Sequence, residues 1–394
     1  MKLAYVCADP GVPVFGRKGC SIHVQEVLRA LLRRGIEVDL FAARVGGDPP
    51  RSLEDVRVHA LPPVAADDVA SRERQALAAN RELENALRRY GRFDMIYERY
   101  SLWSFAAMEY ARATAAAGIL EVNAPLIEEQ ERHRRLVDRR AAERVAERCF
   151  AAATALIAVS DPMARRLLES HPAARGRVRV VANGVDPERF RPGLRPAVPA
   201  PPGVFTVGFV GSLKPWHGLS VLVEAFSRFH AKDRRTRLLL VGDGPKRTAI
   251  EAEIRDRGLA DAAVVTGAVD PEEVPRFLAS MDAAVAPYLP DETFYFSPLK
   301  VYEYMAAGLP VVASRLGQLV DLAEEGRCAM LCPPGDAGAI AEALAVLRQD
   351  PELRQRLSQA AREKVLREST WDMVVERLLK GVETASPALA GEAR

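Results

Sequence analysis

The chain has 394 residues, 48% apolar and 27% charged, a globular balance that excludes a disordered or fibrous protein. Single cores stop growing near roughly 250–300 residues, which points to two domains. The 55 Lys and Arg against 53 Asp and Glu leave a formal charge of +2, too little to argue for nucleic acid as the main partner. Residues 1–200 nevertheless carry 32 basic and 26 acidic side chains, which suits either a solvated Arg-rich face or contact with an anionic acceptor or membrane surface.

In chain order, residues 2–7 read as a short strand that runs straight into Asp9-Pro10-Gly11, unlike a secretory signal peptide. The longest nearly unbroken apolar stretch, 149–159, is far short of the roughly 20 residues of a spanning helix. A cytoplasmic protein is expected, with at most peripheral membrane contact. The five scattered cysteines suit a reducing compartment, and Cys328 and Cys332 lack the second pair of a zinc site. Strand-like runs start near Leu3, Glu37, Val56, Asp94, Ile119, Ala155 and Val178. Helical stretches lie between them, such as 21–34, with Val24, Val27, Leu28, Leu31 and Leu32 on one stripe before Gly35. Five prolines between Arg191 and Gly203 then mark a linker. Beyond it the alternation restarts, with strands at 205–210, 238–241, 263–266, 283–286, 311–313 and 330–331.

This β-then-α order predicts an α/β protein of two doubly wound domains, 1–191 and 204–369, joined by the linker 192–203. The stretch 370–385 is helical in pattern. Its Trp371, Met373, Val374 and Leu378 need burial, so it is expected to pack back on the first domain.

The most informative segment runs from Phe294 to Pro310. Ser297 reads as an N-cap, Pro298 as the first helical residue and Gly308 as the stop, giving a short helix whose free N–H groups and positive dipole end suit a phosphate. Lys300 in its first turn opposes the dipole and makes better sense beside an anion. Glu303, one turn on, suits paired hydrogen bonds from ribose hydroxyls, although a capped surface helix would read the same. Residues 208–218 leave a strand and open a helix: the backbone at Gly211 and Ser212 can approach a diphosphate, and Lys214 and His217 would add positive charge. Gly242-Asp243-Gly244 and the run from Thr266 to Val269 end two further strands, where a planar base or phosphate would fit. All four pieces lie at strand C-terminal ends of one sheet, the edge at which open α/β sheets bind ligands.

In the first half, Gly16 and Gly19 flank a loop at a helix start, with His23 one turn in. Glu98 and Arg99 end one strand and Asn123 follows another, polar groups where an acceptor hydroxyl would dock, or ordinary satisfied loop structure. The chain has no Asp-x-Asp pair to clamp a divalent metal, no Gly-x-Gly-x-x-Gly after the first strand, no Walker loop and no Gly-x-Ser-x-Gly. Dehydrogenase, ATPase and hydrolase readings are therefore disfavoured. A departing diphosphate would be stabilised by backbone dipoles and basic side chains, without metal or cofactor.

Together these residues resemble the retaining family-4 glycosyltransferases of the GT-B fold. The likeness is carried by the glycine loop up to His23, the run from Asn183 to Phe190, the Gly211 loop, Gly242-Asp243-Gly244 and Ser297 through Pro310. It implies two facing Rossmann-like domains with a cleft between them, the acceptor in the first and the donor in the second. It further implies transfer, with retention, from a uridine or guanosine diphosphate sugar to a hydroxyl of a glycan, lipid-linked or small-molecule acceptor. In the family's motif of two glutamates with seven residues between them, Glu303 matches the second and would hold the ribose, while the backbone around Pro298, Leu299 and Lys300 would meet the diphosphate. The first glutamate falls at Tyr295, so the usual carboxylate contact to the donor sugar is either lost or supplied by Asp291 or Glu292. The family's arginine and lysine after the glycine are Ser212 and His217 here, so Lys214 and Lys300 are expected to supply the charge; its N-domain histidine is Asn123. A nucleotide-sugar isomerase of the same fold, or a non-catalytic nucleotide-sugar-binding module, fits the same residues.

Overall fold

The computed structural model describes residues 1–65, 67–290 and 294–385. The chain forms two compact units. The first holds residues 1–182, the short segment Tyr295–Ser297 and the helix Trp371–Ala385; the second holds the remainder.

The first unit is built on strands β1 (Lys2–Cys7), β2 (Glu37–Ala42), β3 (Arg57–Ala60), β4 (Met95–Arg99), β5 (Ala117–Val122), β6 (Ala155–Ala158) and β7 (Val178–Val180). They pair in parallel in the order β3-β2-β1-β4-β5-β6-β7. A parallel sheet covered by helices on both faces hides both sides of each strand, which is why its central strands read as continuous apolar runs rather than alternating ones. Tyr5 is in register with Tyr97, and their rings stack at 4.9 Å. Arg99 is in register with Glu121, so both project to the same face. On that face lies the helix Gly19–Arg33, which buries Val24, Val27, Leu28 and Leu31.

The helix Trp371–Ala385 completes this unit. Trp371 is fully enclosed and meets the His23 ring edge-on at 5.2 Å. Arg33 pairs with Asp372 at 2.9 Å, but that pair is half exposed and contributes little beside the apolar contacts of Trp371, Val374, Val375 and Leu378.

The second unit repeats the plan with β8 (Phe205–Val210), β9 (Thr236–Val241), β10 (Ala263–Val265), β11 (Ala283–Ala286), β12 (Val311–Ser314) and β13 (Met330–Cys332), parallel in the order β10-β9-β8-β11-β12-β13. Strand order reverses between β8 and β11 here, as it does between β1 and β4 in the first unit. At such switch points the loops leaving the strand ends diverge and open a crevice. The helix Leu299–Ala306 is fixed at the switch point by Tyr304, whose hydroxyl accepts from the Val210 N–H at 2.7 Å and donates to the Val210 carbonyl at 3.3 Å.

The unit boundary differs from the one expected between 191 and 204. Residues 183–191 belong to the second unit: Val185 bridges to Thr370, Arg189 donates to the Pro271 carbonyl, and Arg362 donates to the Phe190 carbonyl at 3.2 Å. The Pro-rich stretch is a strap bound along this unit, not a free linker, with the Ala197 N–H on the Arg276 carbonyl at 2.9 Å and the Val198 N–H on Ser280 Oγ at 3.0 Å. Prolines cannot enter the sheet, but the residues among them still donate. Among the described residues no helix is long and apolar enough to cross a membrane.

Trp371→Ala should cost about 3–5 kcal/mol, the usual range for emptying a buried tryptophan site. Calorimetry should show it as a lowered melting transition, and an unchanged profile would mean that the helix adds nothing to the core of the first unit.

Candidate active site

In the second unit, three loops interlock through glycine. Gly211 (φ 143°) and Gly242 (φ 138°) adopt backbone angles that L side chains rarely take, and a Cβ on Gly242 would lie 2.1 Å from the Gly211 carbonyl oxygen. A Cβ on Gly244 would meet the Leu213 backbone at 2.7 Å. The Leu213 N–H donates to the Asp243 carbonyl at 2.9 Å, so the loops after β8 and β9 hold each other. Gly242 also bridges to Gly267, and Thr266 Oγ1 accepts from the Gly242 N–H at 3.4 Å while donating to the Gly267 carbonyl. The Gly211 N–H is used by the Val241 carbonyl at 2.9 Å. The amides of Gly211 and Gly242 thus build the loops instead of being open to a diphosphate. Val269, beyond Gly267, is partly exposed.

Against this frame lies Lys300. The side chain as a whole is partly exposed, yet its Nζ has no solvent access and no hydrogen-bond partner. It sits 4.1 Å from the centroid of the Phe209 ring and 5.5 Å from that of Tyr288, and it would meet a Cβ on Gly211 at 3.0 Å. Burial pulls its pKa down to about 7, with Glu303 one turn away acting in the opposite direction. The two aromatic faces offset part of the lost hydration, but a buried donor without an acceptor is costly. An anion at this place would remove the cost.

His217 does not add the positive charge expected of it. Its Nδ1 donates to the Ser212 carbonyl at 2.6 Å, and burial, with Lys300 and then Lys214 nearby, holds its pKa at about 3. Neutral His217 leaves Nε2 as an acceptor. Lys214 lies over the Trp216 ring at 5.6 Å. Of the groups expected to bring positive charge, Lys300 and Lys214 are left to do so, and the Arg247 guanidinium joins them, with Nη1 2.7 Å from where a Cβ on Gly267 would sit.

The helix carrying Lys300 and the half-buried Glu303 starts at Leu299, with Pro298 at the N-cap and no side-chain cap. Ser297, expected to cap it, belongs to the first unit, as does Tyr295. The Tyr295 hydroxyl bonds to Glu129 and its carbonyl accepts from Ser160 Oγ at 2.7 Å, so the residue at the first-glutamate position is occupied in the core of the first unit and is not part of the second unit's ligand loops. Asp291 and Glu292 lie outside the described residues.

In the first unit, a Cβ on Gly16 would strike Pro13 at 2.7 Å, whereas one on Gly19, the first residue of its helix, would meet open space. His23 Nε2 donates to Glu121 Oε1 at 3.0 Å, Asn123 Nδ2 donates to Glu121 Oε2 at 2.9 Å, and Arg99 Nη1 lies 3.5 Å from the same Oε2. Arg99 Nη1 is also 3.4 Å from His23 Nδ1. A guanidinium only donates, so Nδ1 is the accepting nitrogen. Burial alone would raise the Glu121 pKa; His23, Arg99 and Asn123 outweigh it and leave the carboxyl at about 2. Glu98, expected beside these groups, points to the opposite face because side chains alternate along β4. It is fully buried with only Ser104 donating to it, and burial raises its pKa to about 7. Glu121 was not among the expected residues. Its signal was a lone carboxylate in the otherwise apolar strand Ala117–Val122. Among the described residues, no group of three or more His, Cys, Asp or Glu side chains gathers as a metal site would require.

Residues 17–189 match the family model described as Glycosyltransferase Family 4, and residues 204–350 the one described as Glycosyl transferases group 1. The chain is 30% identical to a D-inositol 3-phosphate glycosyltransferase of Acidothermus cellulolyticus over 95% of its own length and 85% of that protein, and 29% identical to one of Saccharomonospora viridis over 98% and 93%. Its fold is similar to that of sucrose-phosphate synthase from Thermosynechococcus elongatus, with a TM-score of 0.76, 20% identity and 98% and 100% of the two chains covered. It is similar as well to Anabaena HepE in complex with UDP-glucose, with a TM-score of 0.73, 17% identity and coverage of 98% and 100%.

Lys300 titrates lower in the folded chain than its ordinary 10.5, so the unfolded chain binds its proton more tightly. Its charge therefore penalises folding below about pH 7, and the penalty fades as pH rises from there towards 10.5. Lys300→Met should melt higher than wild type at pH 6, with the difference closing above pH 10. Equal melting curves across that range would show that the ammonium is not isolated.

Proposed function

Because the chain belongs to the group 1 and family 4 glycosyltransferases, we propose that it moves a sugar from a uridine diphosphate donor to a hydroxyl of a small polyol or sugar phosphate, with retention at the anomeric carbon and without a metal ion. The observation that carries the donor side is the buried Lys300 ammonium, without a hydrogen-bond partner, beside the glycine loops at the second unit's switch point. A diphosphate is the natural partner for it. As the glycosidic bond breaks, negative charge grows on the leaving phosphate while the sugar becomes oxocarbenium-like, and a cation already stripped of water meets that charge without reorganising solvent. The uncapped start of the helix Leu299–Ala306 adds its dipole, and Lys214 adds a second charge. Glu303 would take the two ribose hydroxyls in a paired hydrogen bond.

HepE was solved with UDP and with UDP-glucose, which supports uridine over guanosine. The D-inositol 3-phosphate glycosyltransferases among its relatives support a phosphorylated polyol as acceptor. The acceptor hydroxyl would attack from the face the diphosphate leaves, its proton passing to the departing phosphate oxygen, so no protein base is needed.

Melting curves with UDP-, GDP- and ADP-sugars in EDTA should show the largest rise for one uridine donor. With D-inositol 3-phosphate present, mass spectrometry should show glycosylated product with UDP release undiminished by EDTA, and NMR should show an unchanged anomeric configuration. Loss of turnover in EDTA with recovery on magnesium would refute the metal-free step. Conversion of the donor alone to another nucleotide sugar would favour an isomerase, and binding without diphosphate release under any acceptor would favour a binding module. Lys300→Ala should reduce turnover about 100- to 1000-fold, the loss typical of removing one preorganised contact to developing charge; near-wild-type turnover would remove Lys300 from the reaction.

A further inference from the structure

The Glu121 cluster contains a carboxylate that packing does not need. β5 is the strand Ala-Gly-Ile-Leu-Glu-Val, buried along its length, and a valine at its fifth position would pack without the desolvation cost of an ionised group. Instead the chain brings three donors to Glu121 from three separate places: His23 from the helix Gly19–Arg33, Arg99 from β4, and Asn123 from the loop just after β5. Trp371 closes the far side of His23. His23, Glu121 and Trp371 are almost wholly enclosed, while Asn123 is only partly so. The buried charge is therefore used to hold something at the edge of the enclosure, next to the switch point of the first unit.

What it holds is the Asn123 amide. An ionised carboxylate can only accept hydrogen bonds, so the amide must turn its NH2 group towards Glu121, and the carbonyl oxygen Oδ1 necessarily faces the other way. A free asparagine rotates and offers either end to a ligand; this one holds Oδ1 outward as an acceptor, with one of its two amide protons committed to Glu121 and the cost of fixing it already met in the folded chain. The group it suits is a hydroxyl. We propose that Glu121 is a positioning residue, which pins Asn123 so that Oδ1 is presented to a hydroxyl of the acceptor bound by the first unit. The assignment of an acceptor to this unit rests on the glycosyl-transfer reading; the pinning does not.

Two measurements on the full-length chain separate these. In the first, asparagine is labelled with nitrogen-15 and the Asn123 side-chain NH2 signals are assigned by Asn123→Ala. The proton facing Glu121 should resonate well downfield of its partner, and Glu121→Gln should collapse that splitting. Unchanged signals would overturn the pinning whatever the substrate. In the second, kcat and KM for D-inositol 3-phosphate, with the uridine donor selected by melting, are compared for wild type, Glu121→Gln, Asn123→Ala and the double variant. If Glu121 acts through Asn123, the single changes should each lower kcat/KM by about 10- to 30-fold and the double variant should be no worse than Asn123→Ala alone. Losses that multiply would overturn the proposal, because Glu121 would then act elsewhere. So would a Glu121→Gln effect confined to a lowered melting temperature, since that is the mark of a purely structural carboxylate. No transfer by wild type to any hydroxyl compound would instead sink the glycosyl-transfer reading and leave the amide result standing.

Discussion

The second unit is organised around an ammonium that has lost its water and found no oxygen. Phe209 and Tyr288 surround Lys300 Nζ with ring faces, Gly211 leaves the space a side chain would fill, and His217, which could have competed for an anion as a cation, is held neutral by the same burial. Each of these choices keeps the charge isolated. A buried donor without an acceptor is unfavourable for folding, the ordinary mark of a position shaped by something other than stability.

The first unit treats its own buried charge in the opposite way. Glu98 and Glu121 stand on neighbouring strands, close to the same sheet edge but on opposite faces. Glu98 is given one hydroxyl and full burial, and its carboxyl keeps its proton up to about pH 7. Glu121 is given a histidine, an arginine and an amide, and stays ionised down to about pH 2. Composition does not distinguish two glutamates in two strands; the partners supplied by other elements do.

The same contrast explains how far the sequence could be read. The strands and the interlocking glycines of the second unit were legible because period and glycine spacing are local properties, and the family was legible from the order of its motifs. The side chains that depart from expectation do so through distant partners. Tyr295 is drawn to Ser160 and Glu129, more than a hundred residues away, and takes Ser297 with it, so that Pro298 becomes the helix cap. His217 loses its charge to a carbonyl and two lysines that only the folded loop brings near. Glu98 misses the polar cluster by one step of strand alternation, which the pattern of β4 did show. Glu121 went unnoticed although a lone acid in an apolar strand is itself a signal.

The path of the chain has a consequence for how such a protein can be recombined. The first unit is not encoded in one stretch: after residue 182 it still requires the three residues that dock beside Ser160 and the final helix whose indole covers His23. A single crossover between two relatives near residue 190 would therefore pair one parent's polar cluster with the other parent's indole. Keeping the first unit intact in such a hybrid demands that the last helix travel with the amino-terminal half.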